Sequence, residues 1–101
     1  MSNEAKSSAL EINVTADDIL RGERNNCVGC PVARAATRVA GRPIAVGCTE
    51  LYLGDGTQDI AELPSFAELP ASVSKRIARY DETGRMKPFK FCVDVWGGEV
   101  F

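Results

Sequence analysis

The sequence predicts an α+β fold: a mostly antiparallel sheet of four to five strands with about three helices packed on one face. Three observations carry this. Strands and helices follow one another as strand, two helices, three-stranded meander, helix, strand, and this irregular order disfavours a doubly wound parallel sheet. Two segments, residues 10–14 and 89–96, alternate apolar and polar residues with the period of half-buried strands. Between them, residues 31–40 place their apolar positions on one continuous helical arc.

At the start, Met1 to Ala9 is polar and has no apolar core of a signal sequence, so residues 1–9 are expected to form a flexible tail and residues 10–101 a single domain. Leu10, Ile12 and Val14 alternate with Glu11 and Asn13 as a strand. Thr15 then offers a hydroxyl to the amides of the next turn, and Asp18, three residues on, stands in for the usual Glu of a capping box. Val14 and Ile19 occupy the two positions of a hydrophobic staple, and Gly22 is the expected stop of this two-turn helix. Asn25-Asn26 and Gly29 mark a turn-rich connection.

Pro31 suits a first helical position, where its missing N–H has no intrahelical partner to lose. On the helix that follows, Val32, Ala33, Ala35, Ala36, Val39 and Ala40 share the apolar arc, with Arg34, Thr37 and Arg38 opposite. The small alanines predict close approach to a sheet, and Gly41 ends the helix. Pro43 to Cys48 and Leu51 to Leu53 read as strands, with Cys48 on the face of Ile44 and Val46. Gly54-Asp55-Gly56 signals a hairpin into a third strand at about Thr57 to Glu62, and Pro64 and Pro70 bracket a loop carrying Phe66 and Leu69. A helix from about Pro70 to Thr83 aligns Val73, Ile77 and Tyr80, with Gly84 as its cap. The last strand places Phe89, Phe91, Val93 and Val95 on one face and Lys90, Cys92, Asp94 and Trp96 on the other.

The net charge of −2 conceals a segregation. Residues 19–49 carry Arg21, Arg24, Arg34, Arg38 and Arg42 against Glu23 alone, whereas residues 50–68 carry Glu50, Asp55, Asp59, Glu62 and Glu68 without a cation. A second cationic block, Lys75, Arg76, Arg79, Arg85, Lys87 and Lys90, is interrupted by Asp81 and Glu82. Separate basic and acidic surfaces suit docking to a charged partner, although a charge run is more often a solvated face. No apolar run approaches the roughly 20 residues of a bilayer span, so no membrane association is expected.

The chain has no histidine, which removes Ser-His-Asp and Cys-His catalysis and every imidazole zinc site. Cys27 and Cys30 admit three readings. As redox thiols, Cys30 would gain acidity from the helix N-terminus and from Arg24, but the pair does not follow a strand in a βαβ unit. As zinc ligands they would need Cys48 and Cys92, which form no second CxxC. The favoured reading is two small buried residues that pin the turn to the core. No cofactor is expected.

Arg34, Arg38 and Arg42 offer a phosphate-contacting surface, but the acidic chain has no nucleic-acid-binding motif. The acidic residues around Asp55 and Asp59 would imitate a row of phosphates or simply solubilise a hairpin tip; they lack the spacing of a calcium loop. Trp96 is a candidate aromatic anchor for a partner.

The pattern Val14-Thr15-x-x-Asp18-Ile19-x-x-Gly22 followed by Cys27-x-x-Cys30-Pro31-Val32-Ala33-x-Ala35 resembles a family of small bacteriophage and prophage proteins with a CxxCPVA helix. The resemblance extends from about residue 10 over most of the chain and includes the final Pro88-Phe89. It carries no catalytic residues. What it implies is a non-enzymatic protein of the host cytoplasm that binds a host protein or complex, in the manner of an anti-defence, anti-CRISPR-like inhibitor. The surface expected to do so is Arg34, Arg38, Arg42, Asp55, Asp59 and Trp96, and a homodimer is compatible with it. A zinc- or thiol-dependent protein built on Cys27 and Cys30 and a nucleic-acid-binding accessory protein are the alternatives.

Overall fold

The computed structural model describes residues 8–54 and 63–95. Its elements are β1 (Ser8–Val14), α1 (Ala16–Arg21), α2 (Pro31–Ala40), β2 (Ile44–Val46), β3 (Glu50–Leu53), β4 (Ser65–Glu68), α3 (Ala71–Thr83) and β5 (Phe89–Val95). The five strands form one antiparallel sheet in the order β1-β5-β4-β3-β2, so the first and last strands pair while β2 to β4 make a meander. The predicted α+β class is the observed one.

Alternation sets the long β1–β5 ladder. Ile12 lies opposite Phe91 and Leu10 opposite Val93, all on the core side, while Glu11, Asn13, Lys90, Cys92 and Asp94 face outward. The alanine-rich side of α2 lets it pack against both β1 and β2, the two edges of the sheet, and the sheet therefore curls around this helix. Pro31, Val32, Ala33, Ala35 and Ala36 are buried there, whereas Val39, placed on the same arc by the sequence, emerges 38% exposed in the last turn. α3 adds Val73 to the same core, and Ile19 of α1 packs on its margin. The outer edge of β2 is closed by local bonds: the Ile44 amide donates to Thr37 Oγ1 at 3.1 Å and the Val46 amide to the Cys27 carbonyl at 2.8 Å.

Caps fix the helix ends. Thr15 and Asp18 close a reciprocal capping box. Gly41 and Gly84 both adopt φ 75°, the left-handed conformation that ends α2 and α3. Gly22 has a different reason to be glycine. Its φ of −71° suits any residue, but a Cβ would meet Pro31 Cδ at 2.7 Å and the Asp18 carbonyl oxygen at 2.8 Å. The glycine admits the start of α2 against the end of α1.

Two expectations change. The loop between Pro64 and Pro70 contains β4: Phe66 and Ala67 are both buried, and a four-residue strand buried on consecutive positions has no alternation to reveal it. The strand expected over Pro43 to Cys48 stops at Val46, because the Gly47 amide donates to the Glu50 carbonyl at 2.8 Å and turns the chain. Cys48 is consequently exposed, not packed beside Ile44 and Val46. The strand expected at Thr57 to Glu62 and the hairpin tip at Asp55-Gly56 lie outside the described residues.

Candidate functional site

The arginines of α2 divide between fold and surface. Arg38 grips Asp18 with both nitrogens, Nη1 to Oδ1 at 2.6 Å and Nη2 to Oδ2 at 2.8 Å, and Nη2 also donates to the Asn13 carbonyl at 2.8 Å. This clamp ties α2 to α1 and β1, so Arg38, although its side chain stays 49% exposed, is already engaged within the fold. Asp18 is fully buried and also accepts from the Thr15 amide at 2.9 Å and the Thr15 hydroxyl at 3.0 Å. Burial alone would raise its pKa; the bonds from Arg38 and Thr15 outweigh this and hold it below the usual carboxylate value. Arg34 is half-buried, and its Nε is enclosed without a hydrogen-bond partner. Arg42 is exposed just beyond α2. Asp55, Asp59 and Trp96 fall outside the described residues, so of the six expected binding residues the structure describes Arg34, Arg38 and Arg42.

The cysteines separate in the same way. Cys30 is the N-cap of α2: it is 3% exposed, and its Sγ accepts from the Ala33 amide at 3.4 Å. Burial pushes this thiol up, against the smaller opposing pull of the Ala33 and Val32 amides. The redox alternative required the reverse, an acidified thiol beside Arg24, whereas the favoured reading placed a small buried residue here, as is found for Cys30. Arg24 instead reaches the C-terminal end of α3, donating from Nε to the Asp81 carbonyl at 3.0 Å and from Nη2 to the Glu82 carbonyl at 2.7 Å. Cys27 is half-buried, and Cys48 and Cys92 are exposed. Cys27, Cys30 and Cys48 border a cavity of about 560 Å3 with Val46, Ile77 and Asp81, while Cys92 sits on the outer face of the sheet. Among the described residues no three His, Cys, Asp or Glu side chains are grouped to hold a metal ion.

A different cluster is assembled by α3. Lys75, Arg76 and Arg79 follow one another at i, i+1 and i+4, so they share a strip of helix. Gly84 then reverses the chain, its amide donating to the Tyr80 carbonyl at 2.7 Å, and this return lays Arg85, Met86 and Lys87 alongside. The result is an open groove of about 770 Å3 lined by Ser72, Lys75, Arg76, Arg79, Arg85, Met86 and Lys87. One wall is stiffened where the Arg76 guanidinium lies 4.5 Å over the Phe89 ring, which itself stacks on Phe91 with centroids 5.7 Å apart.

Among the described residues no carboxylate lines this groove and none of its five cations forms an ion pair. Of the two acids that interrupt the block in sequence, Asp81 is turned aside. Asp81 accepts the Asn25 amide at 2.8 Å and borders the other cavity, and Lys90 projects from the outer face of β5. Like charges gathered in one groove repel one another, modestly in water and less as salt screens them. In a chain with 14 acidic and 12 basic residues, a cluster with no acidic partner among the described residues is the arrangement least explained by folding. The cationic block was visible in the sequence, but its selection over the α2 arginines was not.

Among the described residues no helix is long and apolar enough to cross a membrane. No protein-family model matches the chain, and no curated protein or solved structure matches it either, so the functional reading rests on these residues themselves.

Proposed function

We propose that this protein is a small, non-enzymatic, phage-type binding protein of the host cytoplasm that captures a host protein by an acidic surface, in the manner of an anti-defence inhibitor. The observation that carries the reading is the groove of Lys75, Arg76, Arg79, Arg85 and Lys87, lined among the described residues by five cations and no carboxylate. An anionic partner relieves their mutual repulsion on docking, and the Arg24 clamp on Asp81 and Glu82 holds the end of α3 in place beforehand. The resemblance of residues 14–35 to phage proteins supports the host setting and the defence-related partner.

The test is capture from a bacterial host lysate on the immobilised protein, with bound proteins identified by mass spectrometry. It is repeated with the Arg79→Glu/Arg85→Glu variant after circular dichroism has verified its fold. A host protein held by the wild type and lost from the variant is the expected result. Equal capture by both moves the surface elsewhere and ends the groove reading.

A further inference from the structure

Taking the groove as the binding surface, and resting on that reading, we infer that its occupant is an acidic protein segment carrying an apolar side chain among its carboxylates, which packs against Met86. The groove is cationic at its rim but not throughout. Met86 is half-buried, packs against the hydrophobic core and lines the groove together with Lys75, Arg79 and Lys87, whose side chains carry aliphatic stems. Methionine is flexible and polarisable, and it adapts to a guest of irregular shape. An apolar strip framed by charges is the anatomy of a protein interface, with a dry centre and a polar rim.

A nucleic-acid strand fits this surface less well. Single-strand binders stack bases on open aromatic faces. Here the aromatic ring at the groove is Phe89, with Arg76 lying over it at 4.5 Å and Phe91 stacked beside it. The ring is committed to holding an arginine in place. A long polyanion would also run out onto the surface of a chain whose net charge is −2, where it is repelled, whereas a short acidic segment meets the groove alone.

The experiment measures fluorescence anisotropy of three labelled probes: an all-glutamate decapeptide, the same peptide with two central leucines, and a ten-nucleotide oligo-dT strand. Each is titrated with the wild type, with Met86→Asn and with Arg79→Glu/Arg85→Glu. Partial burial of the leucines should make the leucine-containing peptide bind about tenfold tighter than the all-glutamate one. Met86→Asn should erase that difference and leave the all-glutamate affinity within about twofold of wild type. Equal binding of the two peptides by the wild type, or tighter binding of oligo-dT than of either, overturns the inference while the groove itself stands, provided that Arg79→Glu/Arg85→Glu abolishes the signal. Absence of binding, or binding indifferent to Arg79 and Arg85, overturns the groove as the binding surface. The wild-type comparison of the two peptides decides the matter even if Met86→Asn proves too unstable to purify.

Discussion

Removing the Arg38 guanidinium should destabilise the protein far more than a surface ion pair would. Arg38→Ala deletes two hydrogen bonds to a charged carboxylate, each worth roughly 1.5–3 kcal/mol when sheltered, and leaves Asp18 buried with only Thr15 as partner. Breaking a fully buried pair costs about 3–5 kcal/mol and an exposed pair about 0–1. The pair lies between these limits, since the Arg38 side chain is 49% exposed and that of Asp18 is 1% exposed. Water entering the vacated space solvates one side of the carboxylate, so the expected loss is about 2–3 kcal/mol. With a urea slope of about 1.2 kcal/mol per M, that lowers the unfolding midpoint by roughly 2 M.

Asp18→Asn should cost a similar amount, because its amide nitrogen meets the guanidinium donors. The double variant Asp18→Asn/Arg38→Ala then has no buried charge to strand, so the two losses should fall short of additivity by about 1–2 kcal/mol. A pH series adds a sign. The folded pKa of Asp18 is below its ordinary 3.8, so ionised Asp18 favours the folded state; this contribution is complete above 3.8 and is lost as pH falls through the folded value. The stability gap between wild type and Asp18→Asn should therefore narrow below pH 3.8. A single-variant loss under about 1 kcal/mol, or strict additivity in the double variant, refutes the clamp as a structural element.

Gly22→Ala should lower the melting temperature despite a φ of −71° that alanine accepts, because the new Cβ meets Pro31 and the Asp18 carbonyl below 3 Å; a cost of about 1–3 kcal/mol is expected, and an unchanged or raised melting temperature contradicts it. Phe66→Ala should cost about 3–5 kcal/mol in urea unfolding, since Phe66 is 2% exposed within β4, whereas a loop residue at this position would cost under about 1. Thiol titration with an aromatic disulfide should modify Cys48 and Cys92 first, Cys27 later and Cys30 only on unfolding; Cys30 reacting with the first pair would disprove its burial and the raised pKa that follows from it.

Residues 10–22 and 31–41 are legible in the sequence because their signals are local, whereas Ser8 and Ala9, expected in a flexible tail, begin β1. The Thr15–Asp18 capping box, Pro31 at the first helical position and left-handed Gly41 each act within one turn of helix. The same holds for β5, whose alternation needs only its own residues. β4 escaped notice because both faces of Phe66-Ala67 are covered by other elements, so period-2 contrast disappears. Arg38 looked like a free surface cation for a related reason. Its partner lies 20 residues away on another helix, and helical periodicity reports which side a residue faces, not what it meets there.

The sequence by itself determined the α+β class, the helix caps, the two alternating strands and the segregation of charge, all of which follow from spacing along the chain. Only the tertiary structure decided how the charges are used. Packing α2 against both sheet edges committed Arg38 to Asp18, burial raised the Cys30 thiol instead of acidifying it, and the Gly84 reversal gathered five cations while turning Asp81 away. Electrostatics and burial depend on neighbours brought together through space, and the linear order of residues carries no measure of that distance.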